Sequence, residues 1–287
     1  MYQQLSKEEK DELKHILLAP IIVDKETEGF MWSDDSKETI ISGQKYKGDQ
    51  DADMSDISIC FYESLYDLRS ANNKEGKILN GSGLFDKDFA GDTMNSLAAY
   101  TDDKNNIRDE VRNNILGFYK DEMEAQEALK AIEEEIDKFS HKYHCLANFW
   151  LLPMVVGRGG GTFGKGRFTT YYDFMDNFLE AIMRKTYRQS NRYLKNETFI
   201  MKYPNYCNLF MKGSSFNWDA FASKHFINGI YLLKQNDIYY VASHSNLTDP
   251  IPTINSMDKM IELRADAIKN SKLAYRLHRR LTEELNK

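Results

Sequence analysis

The segment from Ile107 to Tyr143 constrains the fold most strongly, because its apolar residues recur three, four or seven positions apart. That spacing places them on one face of an α-helix, and such a face must be covered by other elements. Glu122 interrupts the stripe, and Gly117 marks a kink or an interruption. The outer face is acidic and is predicted to be solvated. The apolar positions are Ile107, Val111, Ile115, Phe118, Ala125, Leu129, Ile132, Ile136, Phe139 and Tyr143.

Further helices are predicted from capping and periodicity. Ser6 to Glu9 has the pattern of a capping box, which begins a first helix that ends at Pro20. A last helix is predicted from Met257 to Leu285, with Asn255 or Ser256 as its cap, after a linker containing Pro250 and Pro252. Ile57–Leu68 is compatible with helix or strand, and the helical spacing of its apolar residues favours helix. The other predicted helices cover Thr170–Arg192 and Asn217–Asn228.

The β component is predicted to be small. Residues 23–56 are polar and rich in turns, which indicates loop with short strands. Ile230–Leu233 and Ile238–Ala242 flank a short polar turn and are predicted to form a hairpin. The fold class is therefore mainly α, with a minor β hairpin and an irregular N-terminal region. Residues 1–90 and 91–287 are predicted as an N-terminal region and a helical domain, or as one continuous domain.

Composition excludes several classes of protein. The chain has 287 residues, 41% of them hydrophobic, and a net charge of −6, which is atypical of a simple basic polymer-binding protein. Cys60, Cys145 and Cys207 are odd in number and widely spaced, which argues against a disulfide framework and a cysteine-based zinc site. No signal peptide or long apolar run is recognised, so a cytoplasmic protein without membrane association is expected.

A glycine-rich loop follows the apolar block Tyr143–Pro153, which is predicted to be buried. The loop resembles a nucleotide-binding loop, but Gly166 replaces the hydroxyl residue that would hold Mg²⁺. Hydrolysis of ATP or GTP is therefore not expected. Arg158, Lys165 and Arg167 lie among the glycines of residues 157–166 and form a weak candidate site for a phosphate or another anion.

Two further sets of residues are candidates for chemistry. Asp86, Asp88 and Asp92 lie on a glycine-rich stretch, where they either hold a divalent metal or cap turns; Asp92 is also predicted to cap a helix. His141 and His144 are three positions apart, which places them on one face of a helix. No third ligand is defined, so no metal site and no cofactor are predicted, although a divalent metal is compatible with both sets.

The polar residues of the two segments 91–96 and 143–158 are predicted to meet. Asp92 or Asn95 is expected near His144 or Asn148, because isolated polar groups beside so apolar a block are costly to bury. A straight helix between the segments would hold them roughly 50 Å apart. The meeting therefore requires that the helix breaks, for instance near Gly117, or that the preceding loop folds back along it.

Several short motifs resemble, in their order, a family of uncharacterised bacterial proteins. The family has D-T-M-N-S, I-G-N-F-x-x-L/V-P, R-G and D-x-W/F-D-L segments, and no activity is implied by the likeness. The chain departs from the pattern at Ala147, where the family has Gly, and its glycine loop is longer. The matching residues are Asp92–Ser96, Ala147–Phe149 with Leu152-Pro153, Arg158-Gly159 and Tyr172–Phe174.

A fainter likeness connects His144 and the following Leu146–Leu152 to the tail of some HNH-type nucleases, whose upstream D-H-I-x-P element has no counterpart here. The alternative function is a metal-dependent, phosphate-directed enzyme such as a nuclease, with Asp92 and His144 as weak catalytic candidates beside the basic residues of the glycine-rich loop. The preferred expectation is an intracellular binding or regulatory protein acting through protein contacts, for example in a mobile element or a phage-defence system.

Charge distribution bears on the partners of the protein. Acids outnumber bases twelve to five between Asp102 and Asp137, whereas six bases and one acid lie between Arg264 and Arg280. These oppositely charged surfaces are expected to dock on each other within one chain or between copies. A protein partner or a homo-oligomer is therefore favoured, and binding of nucleic acid by the Arg264–Arg280 helix is the alternative.

Overall fold

The protein is described by a computed structural model. The described residues are 4–24, 29–34, 37–40, 52–66, 89–97, 99–102, 106–153, 186–189, 192–195, 211–212, 215–216, 218–228, 233–234, 237–238 and 247–286. Within them, the helices are α1 (Lys7–Leu18), α2 (Asp56–Tyr66), α3 (Asp109–Phe118), α4 (Glu122–Ser140), α5 (Trp218–His225), α6 (Ile251–Lys269) and α7 (Ala274–Leu285). The predicted class, mainly α with a minor antiparallel β part, is confirmed.

The strands of the described residues form small antiparallel sheets. Strands β1 (Ile21–Asp24), β2 (Gly29–Asp34) and β3 (Lys37–Ile40) make one meander, and β4 (Phe89–Thr93) pairs with β5 (Phe149–Pro153). The other pairs are β6 (Thr186–Gln189) with β7 (Arg192–Lys195), β8 (Met211–Lys212) with β9 (Ser215–Phe216), and β10 (Leu233–Lys234) with β11 (Asp237–Ile238). The last pair confirms the predicted hairpin where it is described.

Helix α1 begins as the sequence predicts. The Glu9 amide donates to the Ser6 hydroxyl at 3.2 Å, and the Ser6 amide donates to the Glu9 carboxylate at 2.6 Å. Leu13, Ile16 and Leu17 are buried and join one apolar core. Helix α1 packs on α6 and α7, and α2 packs on α7, so both ends of the chain contribute to this core. A boundary at residue 90 stays a prediction.

The long stripe forms two helices rather than one. Helix α3 ends at Phe118, Tyr119 is extended, and Asp121 begins α4 by accepting hydrogen bonds from the amides of Met123 and Glu124 at 2.9 and 3.0 Å. The break lies two residues after Gly117, where an interruption was expected. The prediction that Phe118 belongs to the buried stripe is wrong, because 65% of this residue is exposed.

The predicted helices in the second half need correction. The end of the predicted helix Thr170–Arg192 is wrong, because Thr186–Gln189 and Arg192–Lys195 pair as strands; residues 170–185 lie outside the described part. The prolines near residue 250 are not in a linker: Pro250 is the N-cap of α6 and Pro252 lies in its first turn, where proline costs no internal hydrogen bond. Asn255 and Ser256 are therefore inside a helix.

The last predicted helix is also two helices. Helix α6 ends at Lys269, and α7 begins at Ala274 after a turn in which the Leu273 amide donates to the Ser271 hydroxyl at 3.1 Å. The turn lets both helices bury a face in the same core. None of the helices in the described ranges is long and apolar enough to cross a membrane.

Candidate functional site

The β4–β5 ribbon brings the two conspicuous sequence segments together. Thr93 pairs with Phe149, and Asp92 pairs with Trp150. Asp92 is therefore a strand residue, and the prediction that it caps a helix is wrong. Phe149, Trp150 and Leu151 are fully buried, which confirms the predicted burial for the middle of the block; Tyr143 and His144 at its start are half-buried.

Asn95 and Asn148 join the segments through their polar groups. The Asn95 amide donates to Oδ1 of Asn148 at 3.1 Å, and Nδ2 of Asn148 donates to the carbonyls of Asn95 and Tyr143, each at 2.8 Å. The Met94 amide donates to the Asn148 carbonyl at 2.6 Å. The predicted meeting is confirmed for these two asparagines, and the interruption between α3 and α4 is one of the two conditions that were expected to permit it.

Arg264 of α6 donates hydrogen bonds to the backbone on both sides of Asn148. Its side chain is fully buried, and it donates to the carbonyls of Ala147 at 2.7 Å, Phe149 at 2.8 Å and His225 at 2.7 Å. The planar guanidinium reaches several acceptors at once, which an ammonium group on a flexible stem does less well. Arg264 thereby ties the turn before β5 to the end of α5.

A buried tyrosine and histidine extend this polar cluster. The Leu151 amide donates to the Tyr66 hydroxyl at 3.3 Å, and that hydroxyl lies 2.8 Å from Nδ1 of His225. A hydroxyl accepts and donates at the same time, so the Tyr66 hydroxyl can accept from Leu151 while it donates to an unprotonated Nδ1. Burial, followed by the charges of Arg264 and Lys224, holds the pKa of His225 well below its ordinary value.

Gly91 lies against Tyr62, where the backbone approaches an aromatic ring closely. A methyl group at Gly91 would collide with the Asp53 carbonyl and with the Tyr62 hydroxyl. Burial raises the pKa of Tyr62, and the charges of Asp53 and Asp92 raise it further. A glycine is therefore required at this point of β4 by close approach rather than by backbone conformation.

These groups favour a structural use over acid–base or nucleophilic chemistry at neutral pH. Burial raises the pKa of the Cys145 thiol to about 12, so the thiolate needed for nucleophilic attack is scarce. Tyr66 is also kept protonated, since burial raises its pKa. The cluster is defined here as Tyr62, Tyr66, Asn95, Asn148, His225 and Arg264.

The predicted histidine pair does not share a helical face. His141 is the C-cap of α4, exposed, with Nδ1 2.7 Å from the Asp137 carbonyl, while His144 lies beyond the helix with its ring 4.1 Å from that of Tyr143. Among residues that the structure describes, no group of three or more His, Cys, Asp and Glu is arranged to hold a metal ion. Asp86, Asp88, Arg158, Lys165 and Arg167 lie outside the described residues.

The basic C-terminal segment docks internally, as one expectation had it, but on α1 and α2. Lys269 lies 3.7 Å from Asp11, Nε2 of His278 lies 2.8 Å from Glu12, and Arg280 lies 2.5 Å from the buried Glu63. Two arginines of the segment also donate to Ser64 of α2: Nη2 of Arg276 to its carbonyl and Nη1 of Arg280 to its hydroxyl. Nζ of Lys14 in α1 donates to Asp266 of the segment. Binding of nucleic acid by this segment stays a prediction.

A surface that the sequence reading missed lies at the turn between α3 and α4. Phe118 is 65% exposed and Met123 is 69% exposed, and of the described residues only Leu263 is a further large exposed hydrophobic side chain. The Phe118 ring packs edge-on against Tyr119, with centroids 5.3 Å apart. We call residues 118–127 the α3–α4 corner. The Asp121-x-x-Glu124 pattern, a helix-start signal, was the clue that the stripe ends before it.

Comparison of the chain with protein-family models, curated proteins and solved structures finds no match in any of the three. The resemblance to a family of uncharacterised bacterial proteins and the fainter likeness to HNH-type nucleases therefore stay predictions.

Proposed function

We propose that this chain is a binding or regulatory protein that acts through protein contacts, with the α3–α4 corner as its contact surface. The observation that carries the proposal is the exposure of Phe118 and Met123, at 65% and 69%, at a single turn. Large apolar side chains grouped on a surface mark sites of interaction. Aromatic residues and methionine are also the types enriched in the cores of protein interfaces.

The hydrogen bonds of the buried polar side chains support the same proposal. The buried side chains of Asn148 and Arg264 donate to backbone carbonyls, and the buried Asn95 donates its Nδ2 to Oδ1 of Asn148 at 3.3 Å. Such bonds stabilise a scaffold and leave little capacity for a substrate. The corner, by contrast, exposes the large apolar side chains of Phe118 and Met123. A setting in a mobile element or a phage-defence system stays a prediction.

The test is affinity capture from the native host, read by mass spectrometry and nucleic-acid sequencing. The tagged wild-type chain is compared with Phe118→Ser/Met123→Ser and with Leu263→Ser, which alters an exposed apolar residue of α6. We expect a protein that is captured by the wild type and by Leu263→Ser and is lost with the corner variant. Recovery of the same proteins by all three chains would contradict the proposal.

A second proposal, a metal-dependent phosphate-directed enzyme, draws support from one observation. The charges of Asp53 and Asp92 both raise the pKa of the buried Tyr62, and the Asp53 carbonyl lies against Gly91, the residue before Asp92. Carboxylates are the ligands that Mg²⁺ prefers. Metal analysis of the purified chain separates the proposals: a stoichiometric divalent ion that Asp92→Asn loses favours the enzyme, and a metal-free protein favours the binding protein.

A further inference from the structure

The α3–α4 corner is acidic as well as apolar. Exposed acids flank Phe118 and Met123 in the sequence, and the corner has a single base, Lys120. The acids are Asp121, Glu122, Glu124 and Glu127. Asp121 is fixed in place, because its carboxylate caps α4 through the amides of Met123 and Glu124. The negative charge therefore has a defined position relative to the apolar side chains.

The negative charge of the corner restricts which partners can bind to its apolar side chains. A twofold dimer through the corner would place the same surface of two copies face to face, and so would bring acid against acid. Like charges placed opposite each other in an interface disfavour association. Nucleic acids and anionic membranes are repelled for the same reason. A basic partner is the remaining occupant with matching charge.

We propose that the corner binds a basic amphipathic segment of another protein, in which apolar side chains alternate with lysine or arginine; this inference rests on the proposed function. The apolar side chains of the segment pack on Phe118 and Met123, whose flexible thioether adapts to the shape of its partner. The basic side chains reach Glu122, Glu124 and Glu127, which steer the approach and set the register.

The experiment uses the full chain and synthetic peptides of about 18 residues, the length of a typical helix-in-groove ligand. The probe has leucines at helical spacing between lysines; one control peptide has glutamates in place of the lysines, and another has serines in place of the leucines. Binding is measured by fluorescence anisotropy at about 50 and about 300 mM NaCl, since added salt screens exposed charges.

Matched variants separate the apolar and the acidic contributions. Phe118→Ser/Met123→Ser removes the apolar surface, and Glu122→Gln/Glu124→Gln/Glu127→Gln removes charge. Glu262→Gln/Glu283→Gln removes exposed charge from α6 and α7 and is the control. Unchanged melting temperatures establish that each variant is folded.

The expected result is binding of the lysine–leucine peptide alone, weakened about tenfold by the triple glutamine variant and by salt. The serine variant abolishes binding, and the α6–α7 control has no effect. The proposal of a basic partner would be overturned if neither the triple glutamine variant nor added salt changed the affinity for the peptide. It would also be overturned if the peptide did not bind, or if the wild-type chain formed a dimer that dissociates in the serine variant. The proposed function would survive those results if host capture still depends on Phe118 and Met123, and it fails only when that dependence is absent.

Discussion

Asn148 and Asn95 bind each other reciprocally across the β4–β5 ribbon: Oδ1 of Asn148 accepts from the Asn95 amide at 3.1 Å, and Nδ2 of Asn148 donates to the Asn95 carbonyl at 2.8 Å. Both residues are buried, at 1% and 0% exposure. The Asn148 side chain thus supplies the partner that the Asn95 backbone groups lack beyond the end of the strands.

Replacing Asn148 with alanine is expected to lower the free energy of unfolding by about 3 kcal/mol, because buried backbone groups of Asn95 and Tyr143 lose their partner. Denaturant titration of the purified variant measures the change. Asn113→Ala, at an exposed position of α3, is the control and is expected to change stability by no more than about 0.5 kcal/mol. Equal stability of the two variants would show that the Asn95–Asn148 contact contributes nothing.

Arg264→Lys is expected to destabilise the fold by about 2–3 kcal/mol although it keeps the charge, because lysine cannot reach the carbonyls of Ala147, Phe149 and His225 together. Arg279→Lys removes an exposed guanidinium that pairs with Glu283 and is expected to change stability by less than about 1 kcal/mol. The comparison is made by chemical denaturation, and a loss in Arg264→Lys as small as that in the control would contradict it.

His225 predicts a loss of stability in acid. The pKa of His225 in the folded protein lies well below the ordinary 6.5. At pH values between the two pKa values, the imidazole is therefore protonated in the unfolded chain and neutral in the folded chain. Its contribution is fully present above pH 6.5 and falls as the pH drops, by about 1.4 kcal/mol per pH unit. Unfolding measured between pH 5 and 6.5 is expected to show a smaller slope in His225→Gln than in the wild type, and an equal slope in the two chains would contradict the prediction.

Two glycines are expected to respond in opposite directions to alanine. Gly91→Ala places a methyl group against the Asp53 carbonyl and the Tyr62 hydroxyl, and is expected to destabilise the fold by about 1–3 kcal/mol. Gly117→Ala meets no atom within 4 Å and lies in a helix, so it is expected to stabilise by about 0.5–1 kcal/mol. Thermal melts test both, and a melting temperature raised by Gly91→Ala would disprove the close packing at β4.

Trp150→Ala is expected to cost about 3–5 kcal/mol, because the indole is fully buried in β5 beside the ring of His225, with centroids 5.7 Å apart. A calorimetric melt of the soluble variant measures the loss. An unchanged melting temperature would mean that the apolar block of β5 is not part of the core.

The parts of the fold that follow from local chemistry were predictable. The Ser6–Glu9 cap, the stripe of α4 and helix α2 each involve neighbours within one or two turns, and each is confirmed. Helix ends were harder, because the signals at Asp121 and Pro252 compete with an apolar pattern that continues past them. Both signals are ordinary helix starts in retrospect.

The candidate site was predictable only in outline. The meeting of Asn95 and Asn148 followed from the cost of burying lone polar groups. The position of Arg264 could not be predicted, because it donates to the backbone carbonyls of Ala147 and Phe149, which lie more than a hundred residues earlier in the chain. The exposure of Phe118 was equally hidden. Its spacing fits the buried stripe, and only the end of α3 turns it toward solvent.

The most direct test of the account is site-specific photo-cross-linking in the native host, with a photoreactive phenylalanine analogue at position 118 or, in a matched chain, at position 263. Both positions hold exposed apolar residues in the native sequence. The account predicts a discrete cross-linked protein of basic character from position 118 and none from position 263. Cross-links that are absent at 118, or identical at the two positions, would contradict the claim that the protein acts through the α3–α4 corner.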